Sequence, residues 1–171
     1  MSACLRFTRR VWKSFLDTKG HDFQCFPNEC RPLQLHSATP GVVTASLKVE
    51  PYNLNRVGTV HGGLVLSLTD TLGSLAVGSK GQFMTGVSTD IGATFARPSG
   101  KTGDVLHMKA ELVTMGKSLA YTRVEFTNPN GLLLAWGNHT KYVGKSSTHP
   151  KNVKFSEDGE VVIEGEDLDV D

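Results

Sequence analysis

The stretch His61-Gly62-Gly63-Leu64-Val65-Leu66-Ser67-Leu68-Thr69-Asp70-Thr71-Leu72 decides the fold of this chain. Its two glycines let the backbone turn sharply and let a ligand approach the main chain closely. The apolar residues continue to Leu75-Ala76-Val77 and fall on every side of a helix, which predicts a buried helix over about 62–80. The first amides of that helix, at Gly62 and Gly63, lie at its positive end, where an enzyme can stabilise an oxyanion.

Asp70 is the single acid in this apolar run. A carboxylate in a buried helix costs free energy unless it is hydrogen-bonded or used in chemistry. Two interpretations are therefore open: a structural acid bonded to a neighbouring hydroxyl, or a functional group. Gly62 and Gly63 can likewise be explained as an ordinary turn from a loop into a helix. The glycines taken together with Asp70 and Asn55 favour a functional role, and an acid in the middle of an apolar helix favours the same for Asp70.

Strand patterns flank the central helix on both sides. Upstream, a helix over about 5–18 precedes a loop, a strand over 33–38 and an alternating strand over 42–50. Downstream, turn signals separate four predicted strands, at 85–97, 103–115, 118–128 and 131–143. One long helix followed by an antiparallel meander predicts an α+β fold in which the sheet curls over the helix.

Length and composition indicate one domain with extensions at both ends. The 171 residues contain no run of 18 apolar residues, so no integral membrane segment is predicted. Three cysteines without CxxC spacing favour reduced thiols in an intracellular, cytoplasmic protein. We expect residues 1–32 to form an N-terminal helix and loop, 33–145 the main domain, and 146–171 an acidic C-terminal tail.

Charge is distributed unevenly along the chain. Residues 1–150 hold 16 Lys and Arg against 9 Asp and Glu, a net charge of +7, whereas 151–171 carry −6. A basic body favours an anionic ligand, and an acidic end is typical of a solvated tail. Within that tail, Val161-Val162-Ile163 can add a short edge strand. The basic N-terminus fits an amphipathic helix packed on the domain, or a mitochondrial presequence.

Several motifs together resemble the hotdog-fold acyl-CoA thioesterases of the phenylacetate-pathway-like branch. The stretches that carry the resemblance are Asn55-Arg56-Val57-Gly58-Thr59-Val60-His61-Gly62-Gly63-Leu64, Asp70, Gly86-Val87-Ser88-Thr89-Asp90, Gly116-Lys117-Ser118-Leu119-Ala120-Tyr121-Thr122 and His139-Thr140-Lys141. The resemblance covers about 35–145. The combination of these motifs is specific to the family, whereas His-Gly-Gly alone is weak evidence for it. It implies an antiparallel sheet wrapped around a central helix, hydrolysis of acyl-CoA to a free acid and coenzyme A, and no cofactor or metal.

The resemblance also implies site residues and an assembly. Gly62 N–H and Asn55 would hold the thioester carbonyl, with His61 beside that pocket. Asp70 would activate the attacking water or attack directly, and Ser88 would help to place the water. Members of the family are homodimers or homotetramers whose sites lie between subunits. Gly62 and Asp70 are eight residues or roughly 12 Å apart on a helix, so they do not readily serve one carbonyl within one subunit. Two antiparallel central helices across a two-fold axis would bring Asp70 of one subunit near Gly62 of the other.

Coenzyme A phosphates must be bound by side chains, because no phosphate-binding loop or dinucleotide motif occurs. Candidate cations are Arg97, Lys101, Lys117 and Lys141. Asp90, two residues beyond Ser88 and on the same side of a regular strand, can support the site or pair with a lysine. The histidines show no zinc-ligand spacing, and dispersed basic residues argue against nucleic-acid binding.

Two other functions stay open at this point. One is a hotdog dehydratase or hydratase, whose base must reach a substrate carbon rather than a water. The other is a non-catalytic acyl-CoA binding module, in which Asp70 would be dispensable. The preferred acyl group depends on how residues such as Leu66, Phe83 and Phe95 pack.

Overall fold

The computed structural model describes residues 1–26 and 33–168. Helix α1 spans Ala3–Asp17, α2 spans His21–Cys25, and the long helix α3 spans Gly62–Gly78, preceded by a 3₁₀ turn at Pro51–Asn53. The strands are β1 Leu33–Thr39, β2 Val42–Lys48, β3 Val87–Phe95, β4 Val105–Met115, β5 Leu119–Thr127, β6 Leu133–Tyr142, β7 Lys154–Phe155 and β8 Val162–Glu164.

Six of these strands form one antiparallel sheet in the order β1-β2-β4-β5-β6-β3. Alternate side chains of β4 and β5, among them Met108, Val124 and Phe126, are buried because successive residues of a strand point to opposite faces. Helix α3 contacts every strand from β2 to β6. The predicted α+β architecture, a sheet curled over one central helix, is therefore confirmed.

Helix α3 is buried over most of its circumference, but one strip is open. Leu68, Leu72 and Leu75 are fully buried against the sheet. Gly73 lies so close to the sheet that a Cβ atom there would approach Thr122 Oγ1 to 2.5 Å. The Asp70 side chain, however, is 51% exposed. The prediction of a helix buried all round is therefore wrong at this strip, where polar side chains replace the apolar ones.

The N-terminal helix α1 packs on the domain by its apolar side. Val11, Trp12 and Leu16 are buried, and α1 contacts both β1 and α3. Ser2 caps the helix, since its hydroxyl accepts from the Leu5 N–H at 3.2 Å. The amphipathic-helix interpretation is confirmed for this segment. No helix within 1–26 and 33–168 combines the length and apolar character needed to cross a membrane.

The acidic C-terminal segment also packs on the domain as far as Val162. The first N–H groups of α1 donate to the carbonyls of Glu160 and Gly159, at 3.2 and 2.9 Å. Val153 is buried, and the Phe155 ring lies edge-on to Phe7 with centroids 5.7 Å apart. The expectation of a solvated tail is thus wrong for 146–162, because these apolar side chains anchor a charged sequence, whereas 163–168 are exposed.

The short strand predicted near Val161-Val162-Ile163 exists, but it does not extend the main sheet. Strand β8 pairs with β7 in a separate two-stranded sheet. The sheet edge beside β3 therefore stays uncovered by the C-terminal segment. Three large apolar side chains of β3 are exposed there: Val87 by 63%, Ile91 by 37% and Phe95 by 52%.

Candidate active site

A tight loop leads into α3, and Asn55 holds it together. The Asn55 side-chain oxygen accepts from the N–H groups of Val57 and Thr59, at 3.0 and 3.2 Å, and its nitrogen donates to Thr59 Oγ1 at 3.0 Å. The second proton on that nitrogen has no acceptor within the described ranges. Asn55 thus shapes the loop before the helix and retains one donor for a ligand.

His61 caps the start of α3. Its Nδ1 accepts from the Gly63 N–H at 2.8 Å, so its proton is on Nε2. Of the two amides predicted to be free, Gly63 is therefore already bonded. The Gly62 N–H finds no acceptor in residues 1–26 or 33–168 and remains at the positive end of the helix. The sequence missed this capping role because histidine is not among the common N-cap residues.

The Asp70 carboxylate lies within a cluster of polar side chains from α3 and β6. The Ser74 hydroxyl donates to Asp70 Oδ1 at 3.4 Å. The same oxygen lies 3.7 Å from His139 Nε2 and 3.8 Å from Lys141 Nζ. Lys141 in turn donates to Ser74 Oγ at 2.7 Å. The side chains of β6 and Ser74 therefore hold the inner side of the Asp70 carboxylate, while its exposed side stays open to a ligand.

His139 is a neutral member of this cluster. Burial, together with the Lys141 ammonium, lowers the pKa of His139 from 6.5 to about 4. Its Nε2 lies 2.8 Å from Ser88 Oγ, whereas its buried Nδ1 has no partner among the described residues. A buried N–H without an acceptor is rare, so the proton belongs on Nε2, which donates to Ser88. The Ser88 hydroxyl proton is then available to the cavity.

Lys141 is not a surface cation. Lys141 is only 3% exposed, and its ammonium donates to the Ser74 hydroxyl beside Asp70. Burial lowers the pKa of Lys141, and the carboxylates of Asp70 and Asp22 act in the opposite direction. Lys141 is predicted to contact coenzyme A phosphates, and the structure places it away from the surface beside Asp70, because β6 turns this side chain inward.

The other three predicted cations are exposed. The Arg97 guanidinium donates to Leu133 O at 2.9 Å. The segment that carries Arg97 and Lys101 lies beside the start of α3, where the Val60 N–H donates to Gly100 O at 3.0 Å. Lys117 lies in the β4–β5 turn. Arg97 and Lys101 therefore border the Gly62 end of the helix. Lys117 belongs to a different turn and is not grouped with them.

A β-bulge separates Ser88 from Asp90. Ser88 pairs with Lys141 and Asp90 with Thr140, so Thr89 is an extra residue in β3. Lys141 faces α3, and its partner Ser88 faces α3 as well. Asp90 consequently lies on the outer face of the sheet. The prediction that Asp90 shares a side with Ser88 is wrong, because it assumed an unbroken pleat.

Two cavities lie along the open strip of α3. One, of about 570 Å³, holds the Asp70 cluster; its other lining residues are Phe15, His21, Asp22, Leu66, Ser67, Thr71, Thr85, Gly86, Val87 and Ile91. The second, of about 610 Å³, adjoins His61 and Gly63. The residues named by the sequence thus fall into two groups at different ends of α3.

Sequence reasoning assigned no catalytic role to His139 or Lys141. The available signal was the alternation of β6, in which both occupy inward positions otherwise filled by buried side chains. A polar residue at such a position needs a partner, and Asp70 and Ser74 are those partners. No group of three His, Cys, Asp or Glu side chains suited to a metal ion occurs in the described ranges.

Comparison with known proteins supports a specific family. Residues 57–135 match the sequence model of the thioesterase superfamily. Acyl-coenzyme A thioesterase 13 of Homo sapiens is 35% identical over 145 residues, 84% of this chain and 99% of that protein. Zebra fish thioesterase superfamily member 2 has a TM-score of 0.70 at 32% identity, over 79% of this chain and 94% of that chain.

A hypothetical thioesterase of Streptococcus pneumoniae, solved with coenzyme A, also resembles this chain. Its TM-score is 0.65 at 27% identity, over 74% of this chain and 94% of that chain. The predicted hotdog fold and the resemblance of residues 35–145 are confirmed by these likenesses.

Proposed function

The chain belongs to the thioesterase superfamily and is a thioester hydrolase, and we propose that Asp70 drives its reaction, the hydrolysis of acyl-CoA to a free acid and coenzyme A. One observation carries this assignment. The Asp70 carboxylate is half-exposed in a cavity, while the buried Lys141, Ser74 and His139 hold its inner side. A carboxylate so fixed is suited to accept a proton from a bound water.

In the proposed step, a water in the cavity attacks the thioester carbonyl carbon as Asp70 takes its proton. Ser88 orients that water through the hydroxyl proton that His139 leaves free. The C–S bond then breaks, and the proton passes to the departing thiolate of coenzyme A. A positioned base of this kind typically contributes about 10²- to 10⁴-fold in rate.

The carbonyl oxygen is proposed to bind at the start of α3. The Gly62 N–H is unbonded within the described chain and points along the positive end of the helix dipole. The spare amide proton of Asn55 is a second donor from the preceding loop. Donors fixed in this way stabilise the negative charge that develops on the oxygen during attack.

We propose that the complete site forms between two subunits. Gly62 and Asp70 lie roughly 12 Å apart along one helix, too far to act on one carbonyl group. The exposed edge of β3 carries the apolar side chains of Val87, Ile91 and Phe95. A two-fold pairing along this edge sets two α3 helices antiparallel, which brings Asp70 of one subunit to Gly62 of the other.

Arg97 and Lys101 are the proposed contacts for the coenzyme A phosphates. Both are exposed and lie beside the start of α3, where the thioester carbonyl is expected. Lys117 is farther along the chain in the β4–β5 turn and is the weaker candidate. A phosphate contact that is the same in the ground and transition states lowers KM without raising kcat.

The proposed reaction uses groups of the chain alone, so it requires no cofactor or metal. We further propose an intracellular location, in the cytoplasm or in mitochondria. Cys4 and Cys25 are free thiols, as expected for a reducing compartment. Burial raises the pKa of Cys4 to about 11, which keeps this thiol neutral.

The direct test is thiol release from short, long and aromatic acyl-CoAs by the wild type and by Asp70→Asn. The variant keeps the side-chain shape and loses the base, so we expect a drop of at least about 10²-fold in kcat with coenzyme A binding retained. Asp17→Asn, which removes an exposed carboxylate paired with Lys13, is the matched control. An Asp70→Asn rate above about a tenth of wild type would contradict the proposed role.

A further inference from the structure

Helix α2 crosses the open strip of α3 and is fastened to it at two points. His21 Nε2 lies 2.9 Å from Ser67 Oγ, and Thr71 Oγ1 donates to Asp22 Oδ1 at 2.7 Å. Ser67 and Thr71 are one helical turn apart and flank Asp70. The segment that precedes the family match thus contributes polar side chains next to the Asp70 carboxylate.

His21 and Asp22 form part of the cavity wall. Both line the cavity that contains Asp70, together with the apolar side chains of Phe15, Leu66 and Ile91. His21 and Ser67 also line the second cavity, beside His61. The His21–Ser67 pair therefore separates the two cavities, and Asp22 lies on the side of Asp70.

The neighbouring thiol does not convert α2 into a nucleophilic site. Cys25 Sγ lies 3.3 Å from His21 Nε2, the spacing of a cysteine–histidine pair. Burial and the Asp22 carboxylate raise the pKa of Cys25, however. A reactive cysteine requires the opposite shift, toward the thiolate. The contribution of α2 is therefore to the shape and charge of the cavity.

The charges that face this cavity do not cancel. Its lining includes the carboxylates of Asp22 and Asp70 and the ammonium of Lys141. Lys141 is 3.8 Å from Asp70 and also interacts with the Asp22 carboxylate, which accepts a hydrogen bond from the neutral hydroxyl of Thr71. Among the described residues, two carboxylates thus share one ammonium at the wall of this cavity.

We infer that Asp22 is a specificity-determining residue: it makes the cavity accept neutral acyl groups and reject acyl groups that end in a carboxylate. The inference rests on the proposed function, in which the thioester lies beside Asp70, and it places the acyl group in the cavity that Asp70 and Asp22 both line. A terminal carboxylate in that cavity adds a third negative charge to the two of Asp22 and Asp70. Like charges about 8 Å apart at intermediate dielectric change binding by about five-fold or more.

The test compares two six-carbon substrates, hexanoyl-CoA and adipoyl-CoA, which differ by one terminal carboxylate. We expect the wild type to prefer hexanoyl-CoA in kcat/KM. Asp22→Asn should raise the relative kcat/KM for adipoyl-CoA about five-fold or more, mainly through KM, and added salt should shrink the difference. Asp22→Ser provides a second neutral variant if Asp22→Asn does not fold.

Two controls separate charge from structure. Asp17→Asn removes an exposed carboxylate outside the cavity and should leave the substrate ratio unchanged. Thr71→Val loosens α2 but keeps the Asp22 charge, so it should change the ratio far less than Asp22→Asn. An unchanged ratio in both neutral variants, or an equal change in Thr71→Val, would overturn the inference. A wild type that releases thiol from hexanoyl-CoA and adipoyl-CoA at equal kcat/KM would overturn the inference alone, whereas one that hydrolyses no short, long or aromatic acyl-CoA would overturn the proposed function and this inference with it.

Discussion

The carboxylate of Asp70 lies 3.8 Å from the ammonium of Lys141, a lysine that is almost wholly buried. One group belongs to the central helix and the other to β6, so the pair joins the helix to the sheet at the cavity floor. The buried ammonium also donates to the Ser74 hydroxyl, which in turn donates to Asp70 Oδ1, so the inner side of the carboxylate is fixed. We therefore propose that Lys141 positions Asp70.

Lys141→Met should lower kcat while the protein stays folded, because methionine replaces the buried methylene chain but not the charge. We expect at least about a ten-fold loss in kcat, because a catalytic group that is no longer held in place reacts more slowly. The loss should appear in kcat rather than in KM. Lys109→Met, at an exposed ion pair with Glu111, is the control. An unchanged kcat, or a loss confined to KM, would contradict the positioning role of Lys141.

Gly62→Pro should remove the proposed carbonyl donor without breaking α3. Proline lacks the N–H, is favoured at the first helical position, and tolerates the extended backbone of His61 before it. We expect kcat to fall about 10²- to 10³-fold, as for loss of one oxyanion donor. Gly62→Ala keeps the N–H and makes the same new contact with Phe95. Equal losses in both variants would point to crowding instead of the donor.

Mixed subunits should test the shared site. Gly62→Pro and Asp70→Asn are each expected to be nearly inactive alone. If each site takes Gly62 from one subunit and Asp70 from the other, half of the randomly mixed dimers carry one intact site. Activity should then recover to about a quarter of wild type after subunit exchange. Absence of recovery, with exchange confirmed by mass spectrometry, would place each site within one chain.

His139 should make stability depend on pH below neutrality. Its folded pKa is lowered to about 4, whereas the unfolded imidazole binds a proton near 6.5. Between these values the unfolded state binds more protons, so the free energy of unfolding falls as the pH drops from about 6.5 to about 4. The loss is roughly 3 kcal/mol. Urea unfolding at several pH values should show a shallower slope for His139→Gln and an unchanged slope for the exposed His107→Gln.

Val153→Ala should destabilise the fold, because the C-terminal segment is packed. Val153 is buried, and its N–H donates to Gly81 O at 2.9 Å. Losing its methyl groups should lower the free energy of unfolding by about 2 kcal/mol. Val161→Ala, at a side chain that is 58% exposed, should cost far less. Equal stability of the two variants would restore the interpretation of 146–162 as a tail.

Local pattern was sufficient for the main elements of this fold. The predicted helix over 62–80 and the observed Gly62–Gly78 differ only at the C-terminal end. The four downstream strands were placed within a few residues because alternation and turn residues act over short distances. The motif around His61-Gly62-Gly63 likewise lies in one continuous stretch, so it could be recognised without knowledge of the fold.

The partners of Asp70 could be assigned only from the tertiary structure. His139 and Lys141 reach Asp70 through the packing of β6 on α3, and Ser88 reaches His139 through the pairing of β3 with β6. A bulge of one residue at Thr89 decides that Ser88 faces the site and Asp90 does not. Strand register is a long-range property, and a slip of one residue reverses every side chain. For that reason the sequence alone determined helix α3 and the place of Asp70 in it, whereas the register and packing of the sheet determined which side chains surround Asp70.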